Sequence, residues 1–167
     1  MNALFDFILY PLFYILPAYI ANGAPVIFGG GKPLDFGKKI GKSYIFGPNK
    51  TIRGLAIGIM LGIATGTLES IVPGFSYMLV VGVLESFGTH LGDLTGSFVK
   101  RRLGMESGSS MVLMDQYLFF VFALAFAYPA GNMPNVYGLL FLVILTGILH
   151  KLTNAGAYVL NLKKVPW

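Results

Sequence analysis

Apolar residues run along this chain in long blocks separated by short polar breaks. Five blocks, about 3–21, 54–72, 74–92, 116–131 and 136–160, approach the roughly 20 residues that a helix needs to cross the hydrocarbon of a bilayer. The pattern predicts an all-α integral membrane protein, with five transmembrane helices in a single polytopic domain over 1–167. Pro11 and Pro17 should kink the first block, where neighbouring helices can re-satisfy the freed carbonyls. The fourth block is short, with room to extend back through Met114 to Met111. In the second, Gly54, Gly58, Gly62 and Gly66 recur every fourth position. That puts a glycine stripe on one face and predicts close helix packing without chemistry.

Basic residues fall in some of the breaks and not in others. The polar loops at about 22–53 and 93–115 hold Lys32, Lys38, Lys39, Lys42, Lys50, Arg53, Lys100, Arg101 and Arg102, and the C-terminus holds Lys163 and Lys164. Val72-Pro73-Gly74 and the turn 131–135 hold none, and Lys151 leans towards the basic end of the last block. An odd number of spans then places the N-terminus outside, the C-terminus in the cytoplasm, and a polar cavity open to the cytoplasm. With 55% hydrophobic and 11% charged residues and a mean hydropathy of +0.72, the chain is far from the roughly 25% charge of soluble domains. Net charge +5 in short loops between spans points to lipid phosphate or a nucleotide as partner, not nucleic acid. The absence of cysteine removes disulfides, thiolate metal sites and cysteine nucleophiles. Because no basic segment precedes the first block, it reads as a retained span and not a cleaved signal.

Chemistry concentrates after the third block. If that helix continues past residue 92, Asp93, Ser97, Lys100 and Arg101 share an arc of roughly 100°, and Arg102 points the other way. Such a face offers a carboxylate for a hard cation such as Mg²⁺, a hydroxyl and two phosphate-binding cations. The basic run alone would also serve as a cytoplasmic anchor, but a carboxylate adds nothing to anchoring. Asp115, before Gln116, is either a second metal ligand or a helix-start carboxylate favoured by the macrodipole. Glu85 lies within a span, as a functional acid or as a hydrogen bond to another helix; Glu69 and Asp6 read as solvated near the outer ends. Lys50, Thr51 and Arg53, leading into the second span, make an anion site at a helix N-terminus, without the glycine frame of a Walker A loop. His150, Asn154 and Asn161 share one face of the last span, either lining a cavity or bonding helix to helix.

Taken together these pieces resemble the archaeal CDP-archaeol synthase family over nearly the whole chain. The resemblance is carried by Ala21-Asn22-Gly23-Ala24-Pro25, by Lys32-Pro33-Leu34-Asp35-Phe36-Gly37, and by Phe46-Gly47-Pro48-Asn49-Lys50-Thr51 with Arg53-Gly54. It continues through Gly92-Asp93, Ser97, Lys100-Arg101-Arg102, Gly104, Asp115-Gln116, His150, Asn154 and Val165-Pro166-Trp167. The stretch from Ser97 to Asp115 is similar, more distantly, to the C-terminal signature of bacterial CDP-diacylglycerol synthases. The resemblance implies an Mg²⁺-dependent membrane enzyme that condenses CTP with 2,3-di-O-geranylgeranylglyceryl 1-phosphate to CDP-archaeol and pyrophosphate. It implies Asp93 and Asp115 as metal ligands, with Lys100 beside them as catalytic. Asn22, Lys50, Thr51, Arg53, Ser97, Lys100, Arg101, Arg102 and Gln116 would hold CTP and phosphate, and His150, Asn154 and Glu85 would line the lipid-phosphate cavity. The location it implies is the archaeal plasma membrane, with no obligate protein partner evident. A phosphate monoester is already ionised at neutral pH, so this chemistry requires no strong base. A CTP-dependent polyprenol kinase and a small membrane anion transporter are the rival readings.

Overall fold

The computed structural model describes residues 2–162; Lys163, Lys164 and Val165-Pro166-Trp167 lie outside the described residues, and with them the cytoplasmic end assigned to the C-terminus. Five helices make up most of the fold: α1 Tyr10–Phe28, α2 Ile52–Ser70, α3 Met78–Arg102, α4 Val112–Ala127 and α5 Val136–Val159. A π turn over Phe5–Leu9 leads into α1, and a 3-10 turn over Tyr128–Ala130 closes α4. A small antiparallel hairpin between α1 and α2 pairs β1, Lys39–Ile40, with β2, Ser43–Tyr44. Four stretches, Phe5–Phe28, Ile52–Ser70, Val112–Ala130 and Val136–Val159, are long and apolar enough to cross a bilayer. α3 has 25 residues, but Glu85, His90, Asp93 and its basic end keep it outside that composition. The protein is a mostly helical membrane protein with four candidate spans among its five helices.

Two boundaries differ from the sequence expectation. α1 runs on to Phe28, so the first loop is 29–51 and not 22–53. Ala21 and Ala24 are buried on its inner face, a burial that offsets the bond Pro25 cannot donate and the crowding of its ring against the preceding turn. α3 continues through Asp93 to Arg102, so the second loop shortens from 93–115 to 103–111. α4 accordingly starts at Val112, within the extension its length invited. Asn161 lies beyond the end of α5, at a φ of 56°, and does not continue the face of His150 and Asn154.

The glycine stripe of α2 is a packing surface, as expected. Gly54, Gly58, Gly62 and Gly66 are all buried. A Cβ on Gly66 would lie 2.6 Å from Gly82 Cα, and one on Gly62 would lie 2.2 Å from Ser86 Oγ. α2 and α3 therefore meet backbone to backbone, a contact in which any side chain beyond hydrogen overpacks. α1 lies at the centre and packs against all four other helices. One apolar cluster joins its Ile15 and Ala18 to Phe119, Phe120, Ala123 and Leu142; a second joins Tyr14 to Met78, Val81 and Ala127. Side-chain caps fix two helix starts: Thr51 accepts from Gly54 N–H at 3.1 Å, and Asn135 from Gly138 N–H at 2.9 Å, each satisfying an otherwise orphaned donor.

Candidate active site

α3 and α4 run antiparallel in tight contact. A Cβ on Gly88 would come within 2.5 Å of Phe122 O, and one on Gly92 within 2.4 Å of Leu118 O. Carried one step further along the helices, this register brings Asp115 level with Thr95 and Gly96. Asp115 thus lies within about one helical turn of Asp93, or ~5 Å along the axis.

Each of these carboxylates is paired with a lysine. Lys50 Nζ donates to both oxygens of Asp93 at 2.7 Å, and Lys100 Nζ donates to Asp115 Oδ1 at 2.6 Å and to Ser109 O at 3.1 Å. The second Asp115 oxygen accepts from Met111 N–H at 2.9 Å, which fixes the start of α4. All three lysine–carboxylate contacts have the short lengths of charge-assisted bonds. Arg101 lies buried beside them and its Nε has no hydrogen-bond partner among the described residues. Burial pulls its pKa below the usual guanidinium value, and the nearby Asp115 opposes that. Ser97, one turn before Lys100 and Arg101, is buried, as is Gln116 at the start of α4.

Two loops close over the cluster. A Cβ on Gly47 would lie 3.1 Å from Ser107 Oγ, and one on Gly108 would lie 3.9 Å from Asn49 Nδ2. Both glycines have positive φ, 102° and 93°, a backbone region that glycine enters without strain. The first loop is built around Asp35, which accepts from the N–H groups of Gly37 at 3.0 Å and of Phe46 and Gly47 at 2.9 Å. Burial alone would raise the Asp35 pKa; these three donors outweigh it and hold it below the usual carboxylate range. The loop then pairs Leu34 N–H with Lys50 O at 2.7 Å, which holds Lys50 over Asp93.

Other residues singled out from sequence have separate places. Thr51 Oγ1 accepts from Gly54 N–H to cap α2, and Thr51 lines the cleft beside Lys50 and Asp93. Arg53 is exposed in the first turn of α2 and forms no ion pair among the described residues. Asn22 is half-buried on α1. Arg102 points away from the cluster, as its helical position predicts, and donates to the carbonyls of Ile40, Ser43 and Tyr44. These bonds tie the end of α3 to the hairpin. Glu85 is fully buried, with Oε2 accepting from Ala18 N–H at 3.2 Å. It bonds helix to helix and is closed off from the loops. Glu69 is not solvated: it is 6% exposed, because it lies one turn after Gly66 on the face that packs against α3. His150 and Asn154 contact one another on α5, which lies against α1 and α4.

Sequence reasoning missed His90. It lines a cleft of about 50 Å³ together with Pro25, Asn49, Lys50, Thr51 and Asp93. Its imidazole is buried against α2, where a Cβ on Gly58 would lie 2.3 Å from Nε2. The available signal was its position one turn before Asp93, on the same helix face.

Among the described residues, no group of three His, Asp or Glu side chains comes together as a metal cage. Asp93 and Asp115 are hard oxygen donors on adjoining helices, and a lysine ammonium already meets each of them where a cation would bind. That donor set fits Mg²⁺, which takes one or two carboxylates and draws its other ligands from water and phosphate oxygens.

A family model described as "CarS-like: CDP-archaeol synthase" matches residues 4–167. The chain is 46% identical to a CDP-archaeol synthase of Pyrococcus abyssi over the whole of both proteins. It is 45% identical to one of Methanopyrus kandleri, over 93% of this chain and 91% of that protein. A solved structure described as an intramembrane enzyme for archaeal membrane lipids biosynthesis superposes with a TM-score of 0.81 at 36% identity. That match covers 88% of this chain and 94% of the other.

Proposed function

The chain belongs to the CDP-archaeol synthase family, and we propose that the two lysine–carboxylate pairs of α3 and α4 are its catalytic centre. It is a CTP-using cytidylyltransferase of archaeal lipid biosynthesis. In this reading the lipid substrate is 2,3-di-O-geranylgeranylglyceryl 1-phosphate. Its phosphate oxygen attacks the α-phosphorus of CTP, the bond to the β-phosphate breaks, and pyrophosphate leaves.

The observation that carries the reading is the pairing of Lys50 with Asp93 and of Lys100 with Asp115 in one cluster under two loops. Transfer to phosphorus depends mainly on positioning and charge neutralisation, and this cluster supplies both. Each ammonium is held near the site by its carboxylate and can exchange that partner for a phosphate oxygen as substrate arrives. Arg101, with an unpartnered Nε, has donor capacity left for a phosphate, and Ser97 offers a hydroxyl on the same face. Mg²⁺ held at Asp93 and Asp115 would neutralise the charge of the departing pyrophosphate.

The reading places five spans in the archaeal plasma membrane, with the apolar first part of α3 as the fifth, the N-terminus outside and the cluster facing the cytoplasm. The one-sided distribution of lysine and arginine supports this orientation. Single cysteines near Asn132 should react with a reagent added from outside, and cysteines near Lys39 should not; the reverse result overturns the orientation.

Labelled CTP separates this reaction from kinase chemistry. Incubation with lipid phosphate should leave label from α-³²P CTP in the lipid and release label from γ-³²P CTP as pyrophosphate. Retention of the γ label in lipid when a free polyprenol replaces the lipid phosphate would assign the site to a CTP-dependent polyprenol kinase instead.

A further inference from the structure

The hairpin between α1 and α2 is built more firmly than a connector requires. Asp35 ties both sides of the loop together, Pro33 bridges to Thr51, and Ile52 N–H reaches Lys32 O at 3.1 Å. Arg102, the last residue of α3, donates to three hairpin carbonyls while its guanidinium lies over the Phe98 ring at 5.3 Å. The hairpin is therefore pinned at the depth where α3 ends and its basic residues begin.

What this scaffold displays is amphipathic. Phe36 is 67% exposed and Ile40 is 52% exposed. Lys38, Lys39 and Lys42 belong to the same short stretch, all exposed and none in an ion pair among the described residues, and Lys39 Nζ lies over the Tyr44 ring at 4.9 Å. Phe36 also has a φ of 51°, a left-handed conformation that is costly for a bulky side chain and persists only where the surroundings enforce it. A loop facing only water gains nothing by holding an aromatic ring outwards in that way. Exposed apolar side chains and exposed lysines within one seven-residue stretch suit the boundary between headgroups and hydrocarbon, where rings and stems enter the apolar side and ammonium groups stay at the phosphates.

We propose that residues 36–42 form a membrane-surface foot that docks on the anionic phosphate headgroups of the bilayer surrounding the protein. Phe36 and Ile40 enter the interface, and Lys38, Lys39 and Lys42 contact headgroup phosphates. Charge complementarity selects this occupant, since cytoplasmic leaflets rich in acidic lipid attract clustered lysines. The inference goes beyond the proposed reaction and does not depend on it. It rests on the protein being embedded in a membrane with this loop at the cytoplasmic surface.

The cysteine-free sequence makes the test direct. The full chain carrying Ile40→Cys, labelled with an environment-sensitive fluorophore, is reconstituted in vesicles of anionic or of purely zwitterionic lipid. Met60→Cys, exposed on α2, serves as the lipid-facing reference, and Glu106→Cys, exposed in the loop 103–111, as the aqueous one. The expected result is blue-shifted emission at position 40 in anionic vesicles, with quenching by lipid-borne quencher and iodide quenching about threefold weaker than at position 106. The effect should shrink in high salt and in the combined Lys38→Gln, Lys39→Gln, Lys42→Gln background. If Ile40→Cys does not fold, Phe36→Cys carries the same measurement. Emission and iodide quenching equal to those at position 106 in both vesicle types overturn the proposal. Protection that persists in lipid-free neutral detergent and rises with protein concentration also overturns it, in favour of a second copy of the chain.

Discussion

Two acidic neighbourhoods lie along α3, and the protein treats them in opposite ways. Near the loops, Asp93 and its neighbour Asp115 each meet a lysine at 2.7 Å or less. Towards the other end, Glu85 and Glu69 are buried and form no ion pair among the described residues. Among the described residues, both oxygens of Glu69 and one of Glu85 have no hydrogen-bond partner. The loop-side pair is a set of balanced charges that a polyanion and a cation can exchange into. Among the described residues the other pair has only Ala18 N–H as a donor, with helices packed around it. A buried carboxylate is thus not a functional residue by virtue of being buried; what it is paired with, and whether substrate can reach it, separates the two cases.

The sharpest way to break this comparison is to neutralise each acid in turn. Asp93→Asn or Asp115→Asn keeps the shape and removes the charge, and cytidylyl transfer should fall well over tenfold, more than about 1.4 kcal/mol. Glu69→Gln should be much milder in the same assay. Near-normal turnover of both aspartate variants with Mg²⁺ present would erase the distinction and the metal proposal with it.

The cations give the next test. Lys100→Ala should leave membrane insertion intact and cost about 1.5–3 kcal/mol in kcat/KM, the size of a lost charge-assisted phosphate contact. Lys39→Ala, out on the hairpin, is the control. Equal and small losses at both positions would make Lys100 a topological anchor. A smaller effect separates packing from chemistry. Gly92→Ala drives a Cβ towards Leu118 O at 2.4 Å and should destabilise the fold by about 1–3 kcal/mol, read as a lower Tm in detergent. Gly23→Ala, with nothing within 4 Å, should not.

Much of this arrangement was legible in the sequence, and the rest was not for identifiable reasons. Hydropathy marks α1, α2, α4, α5 and the first part of α3, and the glycine period of α2 is a surface property that survives folding unchanged. The grouping of Asp93, Ser97, Lys100 and Arg101 follows from helical spacing once α3 is allowed to continue. Its continuation depends on Gly92 and Gly96 finding α4, a tertiary contact that a hydropathy window does not contain. The pairing of Lys50 with Asp93 joins two distant parts of the chain through a loop whose fold depends on Asp35, and no local pattern specifies that. Charge grouped Arg102 with its basic neighbours, while its position on the helix turns it towards the hairpin carbonyls, a contact no local pattern specifies. Glu69 read as solvated because it sits near a helix end, yet it shares the face of Gly66 and is carried into the interface with α3.

Asp35 completes the comparison, as an acid satisfied neither by a lysine nor left alone, but by three backbone N–H groups. Its pKa is lowered, since those donors outweigh the opposing effect of burial. A carboxyl with a depressed folded pKa contributes stability that is present above its unfolded value of about 3.9. That contribution disappears as pH falls through the lower folded value. Hydrogen exchange at Gly37, Phe46 and Gly47, corrected for the intrinsic rate, should therefore lose protection on acidification below about pH 4. Asp35→Asn should show weaker protection at neutral pH and little further loss on acidification. Its effect on turnover should be smaller than that of Asp93→Asn, Asp115→Asn or Lys100→Ala and should arise indirectly, because Asp35 shapes the loop that carries Lys50. Protection at these three amides that falls equally in both proteins would assign the acid response to other carboxylates and leave the Asp35 bonds without energetic weight.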